Sequence, residues 1–230
     1  MTGPGDQVPE NVQHHAIAVR IGHWLMAFSI LVMIGSGWRI YNAVPIFDFL
    51  TFPDEITLGG DVWSALKRHN DPGVASAIAW HFAGMWILLA SYLLLVFWGI
   101  LTGHFWRDFL PVGPTAFFRD FIAAARFRLE HRLGEYNAVQ KVFYWGALAL
   151  VLLMIVSGIA IWKPVQTYPL EVFFGGFQGA RIVHFLGMAG IVGFLIVHIA
   201  LVALVPSTLI AMITGKSSAP AHTPHPEAGE

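Results

Sequence analysis

The 230-residue chain contains no cysteine, and that absence removes several chemistries at once. Without thiolates there is no disulfide framework, no cysteine-ligated iron–sulfur cluster, no zinc thiolate site and no C-x-x-C-H haem attachment. Charge is the second scarcity. Asp, Glu, Lys and Arg make up 12% of the residues, against about 25% in a soluble domain. With 56% hydrophobic residues and a mean hydropathy of +0.63, too few polar side chains remain to cover a water-soluble globule. The same composition excludes disorder. A formal net charge of −1 offers no cationic surface for nucleic acid, and no such partner is expected. What the chain does have is apolar length, aromatics and eleven histidines, its main soft-nitrogen ligands.

Four stretches reach the roughly 20 mostly apolar residues that a spanning helix needs: residues 21–41, 77–101, 139–162 and 182–205, none of which contains Asp or Glu. Pro45, Pro72, Gly73, Pro164 and Pro206 punctuate them, as breakers do. Trp24, Trp38, Tyr41, Trp80, Trp98, Trp106, Tyr144 and Trp162 gather near their ends, as in interfacial belts. The expected fold is an all-α membrane protein, a four-transmembrane-helix bundle. It forms one domain over residues 1–215, with a disordered tail at 216–230. The first nineteen residues are polar and carry no h-region, so the first span is expected to insert as its own anchor. Arg107, Arg119, Arg126, Arg128, Arg132, Lys141, Arg20 and Lys216 fall on one side of the bundle, and Arg39, Lys67, Arg68, Lys163 and Arg181 on the other. The positive-inside rule then places both termini in the cytoplasm.

Residues 42–76 form a long external loop under this topology. Its apolar start, from Val44 to Phe52, is read as a short interfacial helix, and residues 117–132 as a segment on the cytoplasmic membrane face. No internal repeat is read. His14, His15 and His131 are read as surface residues. His104, just past the second span, is read as a solvated interface residue, with a place in a quinone pocket as the other reading. His69 and the Lys67–Arg68 pair stand in the outer loop where a partner would meet them.

Histidines inside the spans are costly and point to function. There are four: His23, His81, His184 and His198. His184 and His198 are fourteen residues apart, which at 100° per residue falls about 40° short of four full turns and gives a rise of about 21 Å. Both therefore share one face of the fourth span, one near each membrane surface. Under the topology above, His23 and His198 lie toward the cytoplasm, and His81 and His184 toward the outside. Two axial pairs at two depths suit two haems b, since imidazoles on facing helices ligate iron from both sides. A zinc site lacks further ligands at either depth. An intramembrane proton or metal transporter subunit and a passive membrane anchor are the alternatives. Gly22, Gly35, Gly37, Gly84, Gly187, Gly190 and Gly193 are candidates for clearing a flat macrocycle or for close helix packing. Arg20 is placed for propionates of the inner haem, Arg39 and Arg181 for the outer; each equally suits a snorkelling role.

The residues also resemble a known family. Arg20-Ile-Gly-His23-Trp24 followed by Ser36-Gly37, and Arg181-Ile-Val-His184 with Phe194 and His198, resemble the first- and fourth-helix patterns of the di-haem cytochrome b subunits of nickel–iron hydrogenases. Residues 135–141 are similar to the corresponding stretch of formate dehydrogenase membrane subunits. Thr57-Leu58-Gly59-Gly60-Asp61 and Trp80-His81-Phe82 are similar to thiosulfate-reductase-type cytochromes b that accompany molybdenum enzymes. The resemblance implies an electron relay with no catalytic residue of its own. It would link a periplasmic iron–sulfur, molybdenum or nickel–iron oxidoreductase subunit to membrane quinone in the bacterial inner membrane. Carried over, Asn137 lines a quinone pocket beside the inner haem with Gln140 and Lys141 nearby; a helix N-cap for the third span is the other reading of Asn137.

Overall fold

The computed structural model describes residues 16–59, 73–103 and 138–215, together with a few positions between 105 and 122. Among these, regular structure is helical: α1 (Ile17–Ala43), α2 (Gly73–Leu101), α3 (Ala138–Trp162), α4 (Tyr168–Phe173), α5 (Gly176–Leu204) and α6 (Pro206–Thr214), with one 3-10 turn at Asp54–Ile56. Helices α1, α2, α3 and α5 have 27, 29, 25 and 29 residues. At 1.5 Å per residue each exceeds the roughly 30 Å of a hydrocarbon core. All four are apolar enough along their length to cross a membrane. They turn many large side chains outward, Phe28, Leu31, Leu93, Phe97, Leu186 and Ile196 among them, which a bundle in water does not tolerate but lipid requires.

The four long helices pack as two hairpins. α1 runs along α2 and α3 along α5, while packing between the two pairs is sparse and leaves a seam. Ile34, Leu88, Val151, Met154 and Ile191, one or two from each long helix, close the middle of the seam as the buried core. The hairpins repeat each other, contrary to the expectation that the chain has no internal repeat. Met33-Ile34-Gly35-Ser36-Gly37 on α1 matches Met154-Ile155-Val156-Ser157-Gly158 on α3. His81-Phe82-Ala83-Gly84-Met85 on α2 matches His184-Phe185-Leu186-Gly187-Met188 on α5. The contacts repeat as well. A Cβ on Gly84 would stand 2.9 Å from Met33 Cγ, and one on Gly187 2.8 Å from Met154 Sδ. Across the seam Tyr41 stacks on Phe185 at 4.8 Å, and Phe82 meets Trp162 at 5.1 Å. The repeat escapes a search for long periodicity because each matching string spans only five residues and the connectors between them differ in length.

Three further elements differ from expectation. The stretch after α1 is not a helix from Val44 to Phe52 but an irregular chain folded back on the bundle end. The Asn42 side chain donates to Phe52 O (2.7 Å) and accepts from Phe52 N–H (3.0 Å). The Tyr41 hydroxyl does the same with Phe47, at 3.3 and 3.1 Å. Phe52 stacks on Trp38 at 4.7 Å, and Leu58 N–H donates to Gly35 O at 2.9 Å. Side chains that satisfy backbone groups outside a helix compete with helix formation. α4 lies within the short connector between the third and fourth spans, and α6 follows Pro206, which breaks α5 and then starts a new helix at its first turn. Residues 60–72, 123–137 and 216–230, with His14, His15, His69, His104, His131 and Asn137, lie outside the described residues.

Candidate functional site: two histidine pairs across the seam

The seam brings the four span histidines together in pairs. His23 on α1 faces His198 on α5 with ring centres 6.2 Å apart, and His81 on α2 faces His184 on α5 at 6.3 Å. Each pair therefore joins one hairpin to the other. The first lies at the end that carries α6, the second at the end that carries α4 and the folded-back 44–59 segment. The α5 residue Ile191, seven positions from each of its histidines, belongs to the apolar core between them.

The two pairs are held differently. Ser36 Oγ lies 3.0 Å from His81 Nδ1, and Ser157 Oγ 2.9 Å from His184 Nδ1. Both serines are fully buried. The glycines that follow them sit against the same rings: a Cβ on Gly37 would meet His81 Cε1 at 3.5 Å, and one on Gly158 would meet His184 Cε1 at 3.3 Å. At the other pair, His23 Nδ1 is buried with no hydrogen-bond partner among the described residues. Its neighbours are aromatic: Trp24 stands edge-on to His23, and Phe194 stacks on His198 at 5.7 Å and 10°.

The donor set decides what such pairs can hold. Among the described residues no group of three or more His, Asp or Glu is placed to take a metal ion. A haem iron needs only two axial ligands, because the macrocycle supplies the rest. The ring centres of each pair stand 6.2 and 6.3 Å apart, which would leave room for one haem iron between His23 and His198 and one between His81 and His184. The glycine faces beside His81 and His184 fit the same group.

The three arginines assigned to propionates all have protein partners. Arg20 Nε donates to Met212 O at 3.2 Å, and its guanidinium also reaches Ile213 O, at the C-terminal end of α6. Arg39 pairs with Asp54. Arg181 donates to Gln178 Oε1 at 2.8 Å and to Val44 O. Sequence reasoning missed Ser157 and Gly158 altogether, and took Ser36 only as part of a family pattern. The repeated Met-Ile-x-Ser-Gly string would have found them. It also missed Asp120, whose carboxylate accepts the N–H of Ala138 at 3.0 Å, at the first residue of α3.

A bundle of four spanning helices with histidines paired across its interior defines a membrane cytochrome of the b type. The chain belongs to the prokaryotic cytochrome b561 family, whose model matches residues 14–215. It is 42% identical over 202 residues to a putative protein-methionine-sulfoxide reductase subunit, YedZ1, of Azospira oryzae, covering 87% of this chain and 96% of that one. It is 27% identical to a probable Ni/Fe-hydrogenase B-type cytochrome subunit of Bradyrhizobium diazoefficiens over 79% of this chain and 73% of the other. Its identity to the cytochrome b556(fdo) subunit of formate dehydrogenase from Escherichia coli is 25%, over 94% and 91%. The protein is thus a multi-pass membrane electron-transfer subunit of oxidoreductases, and its family implies b-type haem.

Proposed function

We propose that this subunit relays electrons through two haems b between a periplasmic oxidoreductase subunit and membrane quinone in the bacterial inner membrane. The observation that carries the reading is the pairing itself: two histidine pairs at matched separation, bridging one seam at two depths. His81 and His184 would hold the outer haem, His23 and His198 the inner one. Bound there, haem supplies one-electron transfer; the chain orients the imidazoles, keeps water from the seam with its apolar core, and fixes the spacing between the sites. Arg39 and Arg181 would meet propionates at the outer end, and Arg20 at the inner end, by exchanging the protein partners they hold. The partner would be an iron–sulfur, molybdenum or nickel–iron subunit. The 42% relative supports a reductase of oxidised methionine as one such partner.

Asn137 is assigned to quinone binding beside the inner haem, with Gln140 and Lys141 on the first turn of α3. At the same helix end the Asp120 carboxylate accepts the N–H of Ala138.

The test is haem counting in the purified protein. It should show a Soret band and reduced b-type α bands equivalent to two haems per chain. His81→Ala and His184→Ala should each lose the same haem, and His23→Ala and His198→Ala the other. A count that stays at two in either pair of variants overturns the assignment.

A further inference from the structure

The two serines beside the outer pair do more than fill space. Ser36 Oγ lies 2.7 Å from Val32 O, and Ser157 Oγ 2.6 Å from Leu153 O. A carbonyl oxygen only accepts, and two oxygens that close repel unless a proton lies between them. Each serine therefore spends its single hydrogen on the carbonyl four residues back. Its oxygen is left to accept, and the group 2.9–3.0 Å away is the histidine Nδ1. That nitrogen must carry the proton, and Nε2 of the same ring keeps the lone pair that binds metal. The arrangement occurs twice, at equivalent positions of the two hairpins, and for both ligands of the same site. The inner pair differs: among the described residues Nδ1 of His23 has no hydrogen-bond partner.

Resting on the four-histidine reading above, we propose that Ser36 and Ser157 are positioning residues that fix the tautomer of His81 and His184 and hold the outer haem at a lower reduction potential than the inner one. A hydroxyl already donating to a carbonyl is a stronger acceptor, because hydrogen bonds in a chain polarise one another. Accepting from Nδ1–H makes the imidazole a more basic ligand. A more basic ligand favours the more positive, ferric iron, and second-shell hydrogen bonding is one of the levers a protein has on haem potential. The inner His23 lacks that lever.

The experiment is a spectroscopic redox titration of the full-length protein in membranes, with and without Ser36→Ala, Ser157→Ala and the double substitution. Wild type should give two one-electron waves, and His184→Ala should abolish the lower. The double serine variant should shift the outer haem's reduction equilibrium about tenfold toward the ferrous form, about 59 mV for one electron. The inner wave should stay in place, the ferric resonance of the outer haem alone should move, and Ser→Thr should restore both. A wild-type count other than two haems overturns the histidine assignment and this inference with it. Two bound haems with an unmoved outer midpoint in the double variant overturn this inference alone. If the double variant releases its outer haem, the wild-type waves decide: loss of the higher wave in His184→Ala overturns the proposal.

Discussion

A methyl group on Gly158 would stand 3.3 Å from the imidazole of His184, close enough that the ring must give way, whereas one on Gly37 would rest at an ordinary 3.5 Å from His81. The two glycines occupy equivalent positions yet differ in tolerance. Overpacking a filled site costs about 1–3 kcal/mol, and each 1.4 kcal/mol is about tenfold in occupancy. Gly158→Val should therefore lower outer-haem occupancy about tenfold while leaving the inner haem in place, and Gly37→Ala should retain both; absorbance per chain checks it. At this scale the histidines were legible from residue type and depth alone. The serines were not. Ser29 and Ser91 are as buried as Ser36 and Ser157 and also donate to a carbonyl one turn back, three residues rather than four, as span serines commonly do. Only the neighbouring helix distinguishes the two that face a histidine.

The elements beyond the spans are fastened by side chains distant in sequence. α6 is held at its C-terminal end, where carbonyls lack helical partners, by Arg20 and by Trp24, whose Nε1 donates to Met212 O at 3.3 Å. Arg20→Ala should loosen that helix. A charge-assisted bond worth about 1.5–3 kcal/mol corresponds to amide exchange in residues 206–214 at least about tenfold faster, read by hydrogen–deuterium exchange, with the long helices unchanged. If exchange in α6 does not respond, Arg20 is free for another role at the inner site. Pro206 marked this boundary in the sequence, but as a breaker it did not announce the helix it starts. The segment 44–59 misled in the other direction: its apolar residues face the bundle end rather than one side of a helix, because Asn42 and Tyr41 take up the backbone groups of Phe52 and Phe47.

For the molecule as a whole, the proposed relay depends on α5 presenting His184 and His198 to one seam. A single alanine inserted after Ile191 would rotate everything beyond it by about 100° and advance it about 1.5 Å. The outer pair should survive and the inner pair should be lost, so the variant should retain one haem, the one that His81→Ala removes. Retention of both would mean that the helix face does not set the inner pair.

Sequence alone determined the four spans, the absence of thiolate chemistry and the depths of the four histidines. Hydropathy, ligand type and the 100° step of a helix are local properties, carried in each segment whatever surrounds it. Which helices pair, where the seam opens, and that two serines and two glycines stand beside the outer pair alone were decided by tertiary structure. Those relations join residues 26 to 175 positions apart, and at such separation it is the packing of neighbouring helices, not the pattern along any one of them, that selects a side chain's partner.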